Sequence, residues 1–403
     1  MALMAVVEAL ARVLEHAGPL GVETAPLLEA HGRVLADDLK ALRSQPPATV
    51  SAMDGYAVRA ADVARVPVTL KVIGEVPAGH PLKGCVGSGE AARIFTGGVL
   101  PSGADTVVIQ ENTTRDGDSV VVTSAVEEGR NIRPEGLDFK RGATLLGRGR
   151  RLTDRDLALA AAMNHSTVPV HRRPKVAVFA TGDELVAPGG DPGMGEIVCS
   201  NGFATLALAR QEGCEIVDLG IVPDRLAETA QTVRGAHEVK ADILVTSGGA
   251  SVGDYDLVQN ALAAEGLSLS FWKVALRPGR PMMHGRLGAM HVLGLPGNPV
   301  SSYVCAVLFL LPLIRRLAGR TDWEPQLEPA LLGCDIEQND ERADYLRAAL
   351  TAGPDGVPVA TPFPVQDSSM LVPLAKANCL LLREPHAPAA KTGSRCTVLK
   401  LGS

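Results

Sequence analysis

A set of short segments carries the side chains that could do chemistry. Thr181-Gly182-Asp183-Glu184 offers adjacent carboxylates, and Pro223-Asp224 adds another. Ser247-Gly248-Gly249 is followed by Asp254 and Asp256. Glycine allows positive φ and close approach, so such a loop can present backbone N–H groups to phosphate oxygens. Lys273, Arg277 and Arg280 can neutralise phosphate, arginine in bidentate fashion. Mg²⁺ prefers one or two carboxylates completed by phosphate oxygens. A phosphate cradle, cations and carboxylates together describe phosphoanhydride or phosphoryl chemistry. Singly, each is ordinary: a glycine pair is a turn, Asp183 a helix cap, an isolated Lys or Arg a solvated charge. Joint placement is what carries the functional reading. No phosphate-loop or dinucleotide glycine motif follows a strand, and Gly189–Gly195 reads as a loop.

The elements that must position these residues form an alternating pattern. Val176–Ala180, Glu215–Leu219, Ile243–Thr246 and Val292–Leu295 read as strands. Helices are expected near 202–212, 225–239 and 256–265, and from Val300 to Ile314. This is an α/β domain with a mainly parallel sheet, over residues 173–320. In such sheets ligands bind beyond the carboxyl ends of the strands, where each segment above falls. Pro296-Gly297-Asn298-Pro299 turns into the last helix, with Asn298 as cap and Pro299 at the first position.

The rest of the chain divides around this domain. Residues 1–43 and 142–172 read as a helical, elongated linking domain, with Thr153 capping a helix and Asp156 three residues on. Residues 44–141 read as an inserted β-rich domain. Its strand candidates are Val66–Val72, Thr106–Gln110 and Val120–Thr123, with a hairpin signal at Asp116-Gly117. Residues 321–403 read as a small C-terminal β domain, through Tyr345–Leu350, Cys379–Arg383 and Cys396–Leu401.

Composition narrows the function classes. The chain has 403 residues, 46% hydrophobic and 21% charged, a globular mix long enough for several domains. A net charge of −6 without basic runs argues against nucleic acid, and 3% aromatics argue against a base-stacking platform. The seven cysteines are odd in number and widely spaced, with no C-x-x-C, so neither a disulfide framework nor a zinc knuckle is expected. Reduced thiols fit a cytoplasmic protein. Glu8 interrupts the apolar start, which reads as an amphipathic helix rather than a signal peptide. The apolar stretch Val300–Ile314 is shorter than the ~20 residues of a membrane span and reads as a buried core helix.

Longer motifs are more specific. Ser51-Ala52-Met53-Asp54-Gly55-Tyr56-Ala57 is followed by Arg133-Pro134-Glu135-Gly136-Leu137-Asp138 and Thr181-Gly182-Asp183-Glu184-Leu185. Pro223-Asp224, Ser247–Gly253 and Leu295-Pro296-Gly297-Asn298-Pro299 complete the order. With these motifs the chain resembles the MoeA family of molybdopterin molybdenumtransferases, which is similar to the gephyrin E domain. The resemblance covers essentially the whole chain, more weakly at the end, through Met370-Leu371 and Leu374–Asn378.

The resemblance implies an enzyme that takes adenylylated molybdopterin and molybdate. Such an enzyme cleaves the pyrophosphate bond with Mg²⁺, inserts molybdenum into the dithiolene and releases AMP and molybdenum cofactor. It implies an elongated homodimer of four-domain subunits, supplied by the molybdopterin adenylyltransferase. Its cleft lies between the sheet domain of one subunit and the β-rich domain of the other. Carried over by motif, Asp54, Asp138, Glu184, Asp224, Asp256 and Lys273 are the catalytic set, with Glu184, Asp224 or Asp256 on the metal. Thr96, Ser247, Gly248, Gly249, Arg277, Arg280, Pro296, Asn298 and Pro299 are the substrate- and phosphate-binding set. Arg277 and Arg280 stand where many members carry Lys, Ala250 replaces a usual Val, and Asp254 replaces a frequent Glu, which leaves either Asp254 or Asp256 as the key acid after the glycine-rich loop. A gephyrin-like scaffold is the rival of another class, but a scaffold has no use for this acid set. The adenylyltransferase resembles residues 173–320 alone. Tungstate has the same charge and shape as molybdate and is the alternative metal.

Overall fold

The computed structural model describes residues 3–248, 257–353 and 356–402. Its centre is a six-stranded sheet in the order Glu215–Val222, Lys175–Thr181, Ile243–Ser247, Met290–Leu295, Met283–Leu287, Ser268–Trp272. The first four are parallel; the last two are each antiparallel to their inner neighbour. Lys175–Thr181 and Ile243–Ser247 are almost wholly buried, as strands covered on both faces must be. Helices Asn201–Gln211, Leu226–Glu238 and Leu257–Ala264 supply the crossovers. The chain crosses outward from Lys175–Thr181 to Glu215–Val222, then back past it to Ile243–Ser247. The strand order therefore reverses between Lys175–Thr181 and Ile243–Ser247, the switch point where such sheets open a crevice.

Pro299–Leu317 is one continuous helical stretch, 83% buried in the protein although apolar and long enough to cross a membrane. It carries a π turn at Ala306–Leu310, just before Pro312. Proline lacks the N–H that an α-helix would need there, and a wide turn accommodates it. Helix Val6–Leu14, read from sequence with the linking segment, lays Ala9 and Val13 into the same core as Val304, Phe309 and Ile314. Of the helix expected across 1–43, only this part forms. The remainder is short strands and a 3-10 turn.

Outgoing and returning chain segments pair antiparallel in three steps. Val22–Pro26 pairs with Thr167–His171, Leu39–Lys40 with Thr144–Leu146, and Val50–Ser51 with Ile132–Arg133. The helix expected over 142–172 is Asp154–Ala162, with Thr153 and Asp156 forming a reciprocal capping box. Beyond the last pair lies a six-stranded sheet: Thr106–Ile109, Gly55–Val58, Glu90–Ile94, Val68–Val76, Ser119–Val122 and Thr113–Asp116. The hairpin at Gly117 joins Thr113–Asp116 to Ser119–Val122. Near the C-terminus, strands Ala343–Ala352, Pro358–Pro362, Leu327–Leu332, Arg395–Lys400 and Cys379–Arg383 close on themselves as a small barrel. Leu276–Arg277, from the sheet region, adds to the barrel edge beside Ala343 and Asp344.

Candidate active site

Two groups of predicted residues form, one on each large sheet. The first lies at the carboxyl ends of the parallel strands. Gly248 has φ +93°, and a Cβ there would lie 2.3 Å from Thr181 O, so only glycine lets the two strand-end turns touch. Gly297 approaches Gly248 closely, and Asn201 Nδ2 donates to Gly297 O at 2.7 Å. Thr181 Oγ1 donates a short hydrogen bond to Asp224 Oδ1, and the Asp224 N–H donates to Asp183 Oδ1 at 3.1 Å. Asp183, Glu184 and Asp224 are exposed, while Ser247 is buried beneath them. Strand Ser268–Trp272, reversed twice through its neighbours, runs the same way as the parallel strands. Lys273 at its end therefore stands on the same edge, with φ +76° and Nζ 4.3 Å from the Trp272 ring centre.

The remaining cations divide. Arg280 is exposed and makes no ion pair among the described residues. Arg277, expected on phosphate, is already engaged. Its Nε donates to Asp344 Oδ1 at 2.6 Å, Nη1 to Asp340 Oδ2 at 2.9 Å, and Nη2 to Asn339 Oδ1 at 3.1 Å and to Asp344 Oδ2. Its fork is nearly filled, and it clamps the C-terminal barrel to the sheet domain. Asn298 also departs from expectation. It occupies the N-cap position with Pro299 following, but its side chain caps nothing in its own helix. Asn298 Nδ2 donates to Ser368 Oγ at 3.0 Å, and Ser368 O accepts from the Val300 N–H at 3.0 Å. Pro296 sits at the turn between the last parallel strand and this helix.

The second group lies on the β-rich sheet. Asp54 Oδ1 accepts from both the N–H and Oγ1 of Thr96, each at 2.7 Å. The backbone bond, then the hydroxyl, hold the Asp54 carboxyl below the usual aspartate range; slight desolvation opposes them and Arg93 adds attraction. Gly55 lets this turn form, since a Cβ there would lie 1.9 Å from Val108 O. Ser51 bonds Gly97 and Gly98 on one side and pairs with Ile132 on the other. The Arg133–Asp138 segment is thus held beside the Asp54 turn, and the Asp138 N–H donates to Gln45 O at 3.0 Å. Among the described residues no hydrogen bond or ion pair joins Asp54, Thr96 or Asp138 to the strand-end group. Gly249, Asp254 and Asp256 lie outside the described residues.

Sequence reasoning missed Asn201, Ser368 and Arg347. Arg347 is 1% exposed; its Nη1 donates to Asp367 O at 2.7 Å and holds the loop that carries Ser368. An arginine inside the apolar run Tyr345–Leu350 was the available signal. No three carboxylate, His or Cys groups converge among the described residues, so there is no all-protein metal cage in them. Single carboxylates around an open turn suit Mg²⁺, which completes its shell with phosphate oxygens and water.

Comparison with known proteins agrees along the chain. Residues 4–164 match the MoeA N-terminal region (domain I and II). Residues 177–316 match a probable molybdopterin binding domain, and 329–401 match the MoeA C-terminal region (domain IV). A Haemophilus influenzae molybdopterin molybdenumtransferase is 35% identical over 94% of both chains. A Nostoc molybdopterin molybdenumtransferase is 39% identical over 81% of this chain and 77% of its own. A crystal structure of the Pyrococcus horikoshii molybdopterin biosynthesis MoeA protein superposes with a TM-score of 0.87 at 30% identity, covering 100% of both chains. Sequence motifs, fold and relatives coincide, and the chain belongs to the MoeA family of molybdenum-cofactor biosynthesis proteins.

Proposed function

We propose that this chain is a molybdopterin molybdenumtransferase. It takes adenylylated molybdopterin and molybdate, breaks the pyrophosphate bond, and releases AMP and molybdenum cofactor. The observation that carries this reading is the meeting of the Thr181, Gly248 and Gly297 turns at the switch point, ringed by Asp183, Glu184 and Asp224. Backbone N–H groups of such a turn face an anion without a bulky side chain between them. Lys273 and Arg280 stabilise negative charge that develops on the phosphoryl oxygens and on the departing AMP. Arg277 acts indirectly, by holding the barrel and its Ser368 loop against the Pro299 helix. When bound, Mg²⁺ would be held by Glu184 and Asp224, with Asp256, and would neutralise charge on the pyrophosphate.

Asp54, Thr96 and Asp138 belong to the β-rich sheet, away from the strand ends. In our reading a homodimer brings this group of one subunit to the strand-end group of the other. The Thr96 contacts hold the Asp54 carboxyl below the usual aspartate range, and the carboxylate is suited to orienting a cationic or proton-donating part of the substrate complex. The test is AMP release from adenylylated molybdopterin by purified protein with Mg²⁺, with and without molybdate. Molybdate-dependent release, with molybdenum retained in the pterin, is the expected result. No release under either condition, from folded protein, overturns the proposal.

A further inference from the structure

A second polar pocket lies at the opposite edge of the central sheet. It has a volume of about 520 Å³ and is walled by the end of helix Val6–Leu14 and two strands. Ser268 faces Arg286 across the ladder, and Phe271 faces His284, with a bulge at Ser270 between them. Ser268 starts strand Ser268–Trp272 and Arg286 lies near the end of Met283–Leu287, so this pair marks the amino edge of the parallel strands, with His284 one step further in. The candidate active site occupies the carboxyl edge.

Two buried polar atoms in this wall have no partner: Arg286 Nε and His284 Nδ1. His284 is only 2% exposed. Its Nε2 meets His291 Nδ1 at 3.2 Å, which leaves the buried Nδ1 without a partner behind the pocket wall. Arg286 makes no ion pair among the described residues, although other half-buried arginines do. Arg172 takes Asp242, and Arg315 and Arg320 share Glu212. Leaving a buried guanidinium N–H unsatisfied is costly, and that group can only donate. Arg12 and His16 bring further positive or donor groups to the rim. The opposing charge is Glu15, which is exposed; Glu8 is already paired with Arg12 at 3.1 Å. Burial, with His291, Arg286 and His16 nearby, pushes His284 down to about 3, so the ring is neutral at physiological pH.

We propose that this pocket binds a tetrahedral oxyanion of the phosphate class. Arg286 donates to it, His284 Nδ1 and the Ser268 and Ser270 hydroxyls complete its shell, and Arg12 and His16 close the rim. The volume exceeds that of a free anion, so the same contacts can take the phosphate group of a small organic phosphate. This assignment does not depend on the reaction at the carboxyl edge.

The experiment is titration of the full-length protein, labelled with ¹³C-histidine, with inorganic phosphate and separately with ribose 5-phosphate. Saturable shifts of the His284 and His16 signals are expected, weakened about ten-fold or more in Arg286→Gln. Lys273→Ala, at the other edge, should leave these shifts unchanged. Tighter binding of phosphate identifies a free-anion site, and tighter binding of ribose 5-phosphate identifies an organic phosphate. Absence of a saturable His284 shift with both probes overturns the proposal, as does equal binding by folded Arg286→Gln. The wild-type titration stands by itself if that variant fails to fold.

Discussion

Asp54 and Thr96 show how a single oxygen can be committed before any substrate arrives. A carboxyl whose folded pKa is depressed adds stability above its ordinary pKa, and loses it as pH falls through the lowered value. Thr96→Val keeps the larger, backbone contribution and removes the hydroxyl, so the Asp54 pKa should rise only part of the way toward 3.8. Carboxyl ¹³C titration by NMR checks this; an unchanged value would remove the hydroxyl from the account. Gly55→Ala should destabilise the protein by about 3 kcal/mol, because the added Cβ meets the backbone at Val108 rather than a movable side chain. Calorimetry reads that directly. Both residues were legible in the Met-Asp-Gly-Tyr run, whose type and order no generic turn explains. What Asp54 touches was not legible, because its partner Thr96 is 42 positions away and joined only by sheet pairing. The occupied state of Arg277 was hidden for the same reason: its acceptors lie more than 60 residues on.

At the scale of elements, local signals worked where the partner was near in sequence. Thr153 and Asp156 cap one helix as their spacing predicted, and Thr153→Ala should cost about 1 kcal/mol in chemical denaturation. The parallel strands were legible because buried strands read as short apolar runs between turns. The switch point was not, since strand order is decided by which crossover packs on which face. Asn298 fails as a conventional cap because a loop from the barrel reaches its helix first. Arg347 anchors that loop from within, through the carbonyls of Asp367 and Met370. Arg347→Met should leave those carbonyls unsatisfied, lower stability by about 3 kcal/mol, and slow AMP release by displacing Ser368. Equal activity at reduced stability would confine Arg347 to a packing role.

The whole molecule sets two further expectations. Asp344 is 4% exposed and paired with Arg277, so Arg277→Met strands a buried carboxylate at the seam between sheet and barrel. Discounting for the exposed side of the guanidinium, the loss should be about 2 kcal/mol, with faster proteolysis near residues 320–342. Arg277→Lys keeps the charge but not the fork, and should fall between. If the two acid groups meet across a two-fold axis, Asp54→Asn and Asp224→Asn are each inactive alone. Mixed and re-associated, they should recover about a quarter of wild-type AMP release, since half the dimers would hold one intact cleft of two. No recovery would place both groups of one site on one subunit.

The stepwise pairing of outgoing and returning chain has a consequence of its own. Ser51 and Ile132 are cross-strand neighbours, so the β-rich sheet enters and leaves through a gate of about 5 Å. Everything beyond that gate is, topologically, a cassette. It can be cut out and its ends joined by a two-residue turn, or exchanged for another module, without rerouting any strand of the central sheet.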